Sequence, residues 1–158
     1  VPHLMDSKVL HLVLQLEKEK IAETYRQAQI EAEAMHVLET EQAKKHIVEE
    51  ILTLKCPRCG QAFLDFNGCF ALVCSRQNCN CGFCALCLKD CGNDAHSHVA
   101  KCNGGGDVSG SFDMFEEIQR KRKRRKLQEY LGKKAPDMRQ RIIGACEREL
   151  RDCGLWPI

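Results

Sequence analysis

The chain has 158 residues, 44% hydrophobic and 29% charged, and its 24 Lys and Arg against 22 Asp and Glu leave a net charge of +2. So even a balance gives no ground for nucleic-acid binding by the chain as a whole, and no stretch approaches the roughly 18 apolar residues of a membrane span. Of the 12 cysteines, all but Cys146 and Cys153 fall between Cys56 and Cys102. A disulfide scaffold spreads its cysteines behind a secretory signal, and the opening VPHLMDSKVLHLVLQLEKEK has no basic leader. Reduced thiols in a cytoplasmic or nuclear protein are therefore expected, and there clustered cysteines mean metal or catalysis. The missing initiator Met is read as the mark of a piece of a longer chain.

Residues 6–54 contain no Gly and no Pro and are rich in Glu, Lys, Ala, Gln and Leu, all good helix formers. Asp6 and Ser7 are N-cap candidates. Ile21, Tyr25, Ala28, Ala32, Met35 and Leu38 step by three or four, as one helical face requires. Val9, Val13 and Leu16 make a similar stripe, and so do Ile47, Ile51 and Leu54. Unbroken, such a helix would be about 70 Å long at about 1.5 Å per residue. This arm, long or broken, is expected to break, to form a homodimer, or to lie against a helical partner.

Residues 55–102 lose helical periodicity, and cysteine becomes the commonest residue. In Cys56-Pro57-Arg58-Cys59, two residues between thiolates let both sulfurs face one ion, half of a tetrahedral site. Gln61–Phe66 and Cys69–Val73 read as strands joined by Asn67-Gly68, the preferred two-residue hairpin turn. That hairpin brings Cys74 to Cys59, with Cys79 or Cys81 as the fourth ligand. A second half-site, Cys84-Ala85-Leu86-Cys87, is completed by Cys102 and a histidine. His98 stands at the tidier spacing and His96 competes with it. Two zinc ions are expected, because the stretch has too few large apolar residues to fold unaided.

Residues 103–111, NGGGDVSGS, read as a flexible linker. A helix is expected over 112–131 and another from Pro136 to Cys153, with Pro136 in its first turn and Gly154 ending it; together they make a helical segment over 112–154. Arg120-Lys121-Arg122-Lys123-Arg124-Arg125-Lys126 reads as a solvated helical face, with a nuclear-import signal or a phosphate-contacting patch for nucleic acid as competing readings. The fold class is a small zinc-stabilised module of short β-hairpins, with two zinc sites, flanked by α-helices.

The run realised by Cys56, Cys59, Cys69, Cys74, Cys79, Cys84 and Cys87, with CSRQNCNCGFCALCL inside it, resembles the Rcat zinc domain of RBR ubiquitin ligases of the Ariadne and parkin type. The resemblance covers residues 56–102. It also favours Cys79 over Cys81, so that the spacing-based sites stand as Cys56, Cys59, Cys74 and Cys79 for one zinc and Cys84, Cys87, His98 and Cys102 for the other. In that family the Rcat cysteine outside the zinc sites takes ubiquitin from a conjugating enzyme as a thioester and passes it to an amine. The matching residue is Cys69. Ubiquitin, a conjugating enzyme and a protein substrate are the partners this implies, and a ubiquitin-facing patch joins the competing readings of the basic run 120–126.

The sequence departs from the family at two positions. The histidine usual two residues after the nucleophile is Ala71, and the acidic residue usual two before the fifth zinc ligand is Gly82. His96, if it is not a ligand, is the available substitute base. The alternative to an enzyme is a non-catalytic zinc module that binds ubiquitin, a conjugating enzyme or another protein.

Overall fold

The computed structural model describes residues 6–63, 65–102 and 107–158. Helix α1 (Ser7–His46) runs for 40 residues. Asp6 Oδ1 accepts the Lys8 N–H at 3.0 Å at its start, and Lys44, Lys45 and His46 in its last turn suit the negative end of its dipole. The helix does not continue regularly to residue 54. From Ile47 to Leu52 the backbone widens into π-helical turns, and Thr53 leaves in an extended conformation. The hydroxyl of Thr53 donates to the Val48 carbonyl at 2.7 Å. The wider turn lets Ile47, Ile51 and Leu52 all reach the core.

Two compact units divide the chain, Val1–Thr40 and Glu41–Ile158. In the first, no described residue is buried, and Leu12, Ile21, Tyr25, Ile30 and Met35 face solvent. No helix among the described residues is long and apolar enough to cross a membrane.

The second unit is a small Cys/His module followed by helices. Strands β1 (Ala71–Val73) and β2 (Gly82–Cys84) pair antiparallel, Ala71 opposite Cys84, Leu72 opposite Phe83 and Val73 opposite Gly82. The expected hairpin around Asn67-Gly68 does not form. Among the described residues, Gln61–Phe66 contributes only an isolated bridge, Ala62 to Lys55. The turn residues instead redirect the chain. Asn67 Oδ1 accepts the Cys69 N–H at 3.3 Å, and Gly68 takes φ +93°, an Asx-type turn.

Residues 103–106 of the expected linker lie outside the described residues; 107–111 are ordered against the module. Phe70 N–H donates to Val108 O at 2.8 Å and Gly110 N–H to Gly68 O at 2.9 Å. A Cβ on Gly110 would stand 2.6 Å from Phe70 Cζ, so any larger residue there would have to displace that buried ring. Helix α2 (His96–Cys102) follows β2. Helix α3 (Phe112–Gly132) begins at Ser111, whose hydroxyl accepts the Met114 N–H. The expected helix 136–153 is two, α4 (Pro136–Ala145) and α5 (Glu147–Asp152), broken at Cys146 and closed by Gly154 at φ +65°.

Two apolar clusters fill this unit. Phe70, Phe83, Ala85, Ala95, Val99 and Phe115 centre one, with Phe66 stacked on Phe115 at 4.4 Å. Ile47, Ile51, Leu127, Leu131, Ile142, Leu150 and Leu155 form the other. Helix α3 belongs to both, and Gln119 ties it to the module by donating to Ala85 O at 2.7 Å. The end of α1 is tied to α5 by Lys44 and Glu149, 3.1 Å apart.

The basic run is not uniformly solvated. Arg124 and Arg125 are exposed, but Arg122 is only 4% exposed, on the inner face of α3 with Phe115 and Gln119. Its Nε donates to Gln119 Oε1, its two Nη atoms find no partner among the described residues, and burial lowers its pKa. A buried arginine without a carboxylate stabilises through its alkyl stem. Arg122→Met should therefore change stability by no more than about 1.5 kcal/mol. Arg122→Glu should cost about 3–5 kcal/mol, and Arg124→Glu with Arg125→Glu should leave the thermal midpoint unchanged. Thermal denaturation of the three variants checks all of this.

Candidate metal centres and a cysteine–histidine–aspartate cluster

The sulfurs of Cys56, Cys59, Cys74 and Cys79 all lie within 4.8 Å of one another. Cys56 and Cys79 are 3.8 Å apart, and Cys59 and Cys74 3.6 Å. A knuckle presents the first pair: Gly60, at φ +73°, returns its N–H to Cys56 O at 3.0 Å. Cys74 follows β1, and Cys79 is flanked by Asn78 and Asn80, both in the left-handed conformation that asparagine tolerates.

A second set, Cys84, Cys87, His98 and Cys102, meets the same distance criterion. Its knuckle repeats the first, with Leu88 at φ +61° and its N–H on Cys84 O at 2.8 Å. His98 and Cys102 stand four apart on α2, hence on one helical face, and His98 Nε2 comes within 3.2 Å of Cys87 Sγ. Each set could hold one metal ion.

The protonation of these thiols depends on burial. Desolvation pushes Cys74 and Cys84 up to about 12, whereas donation from the Gln61 backbone brings Cys59 down to about 6. A metal ion would displace protons from the buried sulfurs on binding. Cys81 is fully buried and its thiol donates to Gly82 O at 3.7 Å. Cys91 bonds Lys89 O at 3.3 Å. Neither belongs to a metal set among the described residues, and all 12 cysteines are free thiols.

The two knuckles are clamped to one module by Arg58. Its Nε and Nη2 bond both carboxylate oxygens of Asp90 at 2.9 and 2.8 Å, and it also donates to Cys79 O and Gly92 O. The guanidinium holds the Asp90 carboxyl down at about 2.

Cys69 is not at a free hairpin tip. It is half-buried at the edge of the first apolar cluster, and it bridges Ser109 in an antiparallel pair. Its Sγ is 3.5 Å from His96 Nε2. His96 Nδ1 in turn contacts Asp94 Oδ1 in a very short bond, and Asp94 Oδ1 also accepts the His96 N–H at 3.0 Å. These bonds hold the Asp94 carboxyl below its usual value, the backbone donation first. His96 and His98, two apart on a helix, point in nearly opposite directions, so one can meet Cys87 while the other meets Cys69.

Gly82 makes that placement possible. A Cβ there would stand 2.7 Å from both Asn93 C and Asp94 N, which are backbone atoms. Gly82 also exchanges hydrogen bonds with Gly92 and Cys91, each at 2.8 Å. The loop carrying Asp94 thus crosses directly over the bare Cα of β2. Sequence reasoning missed Asp94 and Ser109. The Asp94-Ala95-His96 spacing of an Asx turn pointed to the first; nothing local pointed to the second, which is brought in by a pairing across 40 residues of chain.

No family model, no curated protein and no solved structure matches the chain.

Removing a ligand should cost a metal ion, and removing its neighbour should not. His98→Ala is expected to lose one bound ion per chain while His96→Ala keeps both. Cys79→Ser is expected to lose one ion and Cys81→Ser none. Native mass spectrometry of the four variants measures this.

Proposed function

We propose that the chain is a zinc-stabilised ubiquitin-protein transferase of the RBR type, with Cys69 as nucleophile, His96 as base and Asp94 as the group that orients His96. The observation that carries the reading is the continuous contact from Cys69 Sγ through both ring nitrogens of His96 to Asp94. Nucleophile, base and orienting carboxylate in hydrogen-bonding sequence are what activation of a thiol requires. Two departures from the family pattern bear on this reading: with Ala71 and Gly82 in place of the usual histidine and acid, His96 would serve as the base and Asp94, whose backbone crosses Gly82, as its orienting acid.

Zinc suits the metal sets. Sulfurs at about 2.3 Å from a tetrahedral zinc lie about 3.8 Å from one another, against the 3.6 and 3.8 Å found. Bound zinc would supply folding free energy, on the order of 10 kcal/mol per site, and no chemistry at Cys69.

In the first step Cys69 Sγ attacks the carbonyl carbon of the thioester joining ubiquitin to the conjugating enzyme. The thiol proton passes to His96 Nε2, while Nδ1–H stays on Asp94. The conjugating enzyme's sulfur leaves and takes the proton back from His96. In the second step an amine of the substrate attacks the new thioester. His96 takes the amine's proton, an amide bond forms, and Cys69 leaves as thiolate.

The test is a charged conjugating enzyme mixed with the chain and resolved on a non-reducing gel. Cys69→Ala should keep both metal ions and lose all transfer. Cys69→Ser should hold ubiquitin as an ester that survives reductant. His96→Ala should slow transfer about 10²-fold or more, and Asp94→Asn less. If no adduct forms on Cys69 of the metal-loaded chain, the transferase reading fails and a ubiquitin-binding or conjugating-enzyme-binding module takes its place.

A further inference from the structure

The strap 107–111 has a task for nearly every residue. Ser111 caps α3, Gly110 fits beneath Phe70, and Val108 accepts the Phe70 N–H while half-buried against the first cluster. Ser109 has no such structural role: it is exposed and sits directly opposite Cys69. The bonds of this ladder flank the pair, Phe70 N–H to Val108 O on one side and Gly110 N–H to Gly68 O on the other. Cys69 and Ser109 are therefore a non-hydrogen-bonded antiparallel pair, the arrangement that brings side chains closest, with Cβ atoms about 4.5–5.5 Å apart on one face.

We propose that Ser109 is a further catalytic residue, the hydrogen-bond donor to the acyl oxygen when Cys69 is acylated and deacylated. Attack of a thiolate on an acyl carbon turns the carbonyl oxygen into an oxyanion, which needs a donor within reach. The acyl carbon bonds to Cys69 Sγ, so its oxygen lies one further bond out, a distance that a hydroxyl on the facing residue spans. His96 contacts the same sulfur and is engaged with the proton. Ser109 faces Cys69 across the bridge, on a separate segment held by its own backbone bonds. The donor forms no covalent bond; its proton stays on the hydroxyl throughout.

The inference deepens the transferase reading, yet it can be tested without ubiquitin. Two small reagents separate the roles on the metal-loaded full chain. Iodoacetamide alkylates Cys69 by displacement of iodide, and no oxyanion forms. With p-nitrophenyl acetate the Cys69 sulfur bonds to the acetyl carbon, the ester C–O bond breaks, nitrophenolate leaves, and the tetrahedral step carries an oxyanion. Peptide mass spectrometry reads each adduct at Cys69. Ser109→Ala should slow acetylation about tenfold, less than the loss from a buried donor, while alkylation stays within about twofold of the parent. Ser109→Thr should restore most of the acetylation rate, and His96→Ala should slow both reactions. Acetylation of Ser109→Ala at the parental rate overturns the proposal. Equal slowing of both reactions also overturns it, since that is the mark of a displaced Cys69. If the acetylation defect appears while the parent chain takes no ubiquitin, the donor role stands and the ubiquitin reading falls.

Discussion

The cysteine–histidine–aspartate cluster and the second metal set both depend on the passage of Asn93 and Asp94 across the bare Cα of Gly82. A close backbone crossing of this kind is possible only where no side chain intervenes, and it fixes where the next segment starts. That segment is α2, whose Val99 and the Ala95 before it are buried in the same cluster as Phe83. With its start pinned and one side packed, the helix directs His98 and Cys102 to one knuckle and His96 to Cys69. One glycine thereby sets the geometry of both a metal set and the cysteine cluster.

The module has little else to hold it. Its sheet is three residue pairs long, and two-stranded ribbons of that size are marginal in water. Its apolar cluster counts several cysteines among its members, residues that contribute less burial than Leu or Phe. The bidentate Arg58–Asp90 pair joins the first knuckle to the loop before α2, but both side chains are 38% exposed and solvent screens such a pair. Helix α3 supplies the remaining support, through Phe115 and the Gln119 bond to Ala85. The two sets of four converging donors are the strongest candidates for what closes the fold.

Spacing made the Cys56–Cys59 and Cys84–Cys87 knuckles legible in the sequence, because a short bite between thiolates is a local property. The helical flanks were legible for a similar reason, though the π-helical widening at Ile47 was not: its stripe of Ile47, Ile51 and Leu54 suits a regular helix, and only burial of Leu52 in the core reveals the change. Asn67-Gly68 misled. The same residues that close a two-residue hairpin also make an Asx turn, and which forms is decided by a distant competitor, here Val108 to Gly110. Gly110 in turn reads as linker composition, whereas its role is to fit beneath an aromatic ring. Arg122 sits within a run of basic residues, and charge patterning cannot tell which of seven successive side chains faces inward.

Helix α2 is seven residues long and carries His96, His98 and Cys102 together. A helix that short does not hold its shape without tertiary support, and two of those three side chains belong to a metal set. On the transferase reading this sets an order of maturation. A newly made chain short of metal would have its base adrift from Cys69, and its thiol would be no more reactive than an ordinary surface cysteine. Reactivity would arise only after loading, so a chain assembled incompletely in the cell would be inert and would not acylate bystanders. Supply of the metal would then act as a licence issued once per molecule, built from nothing more than two residues of separation between a base and a ligand.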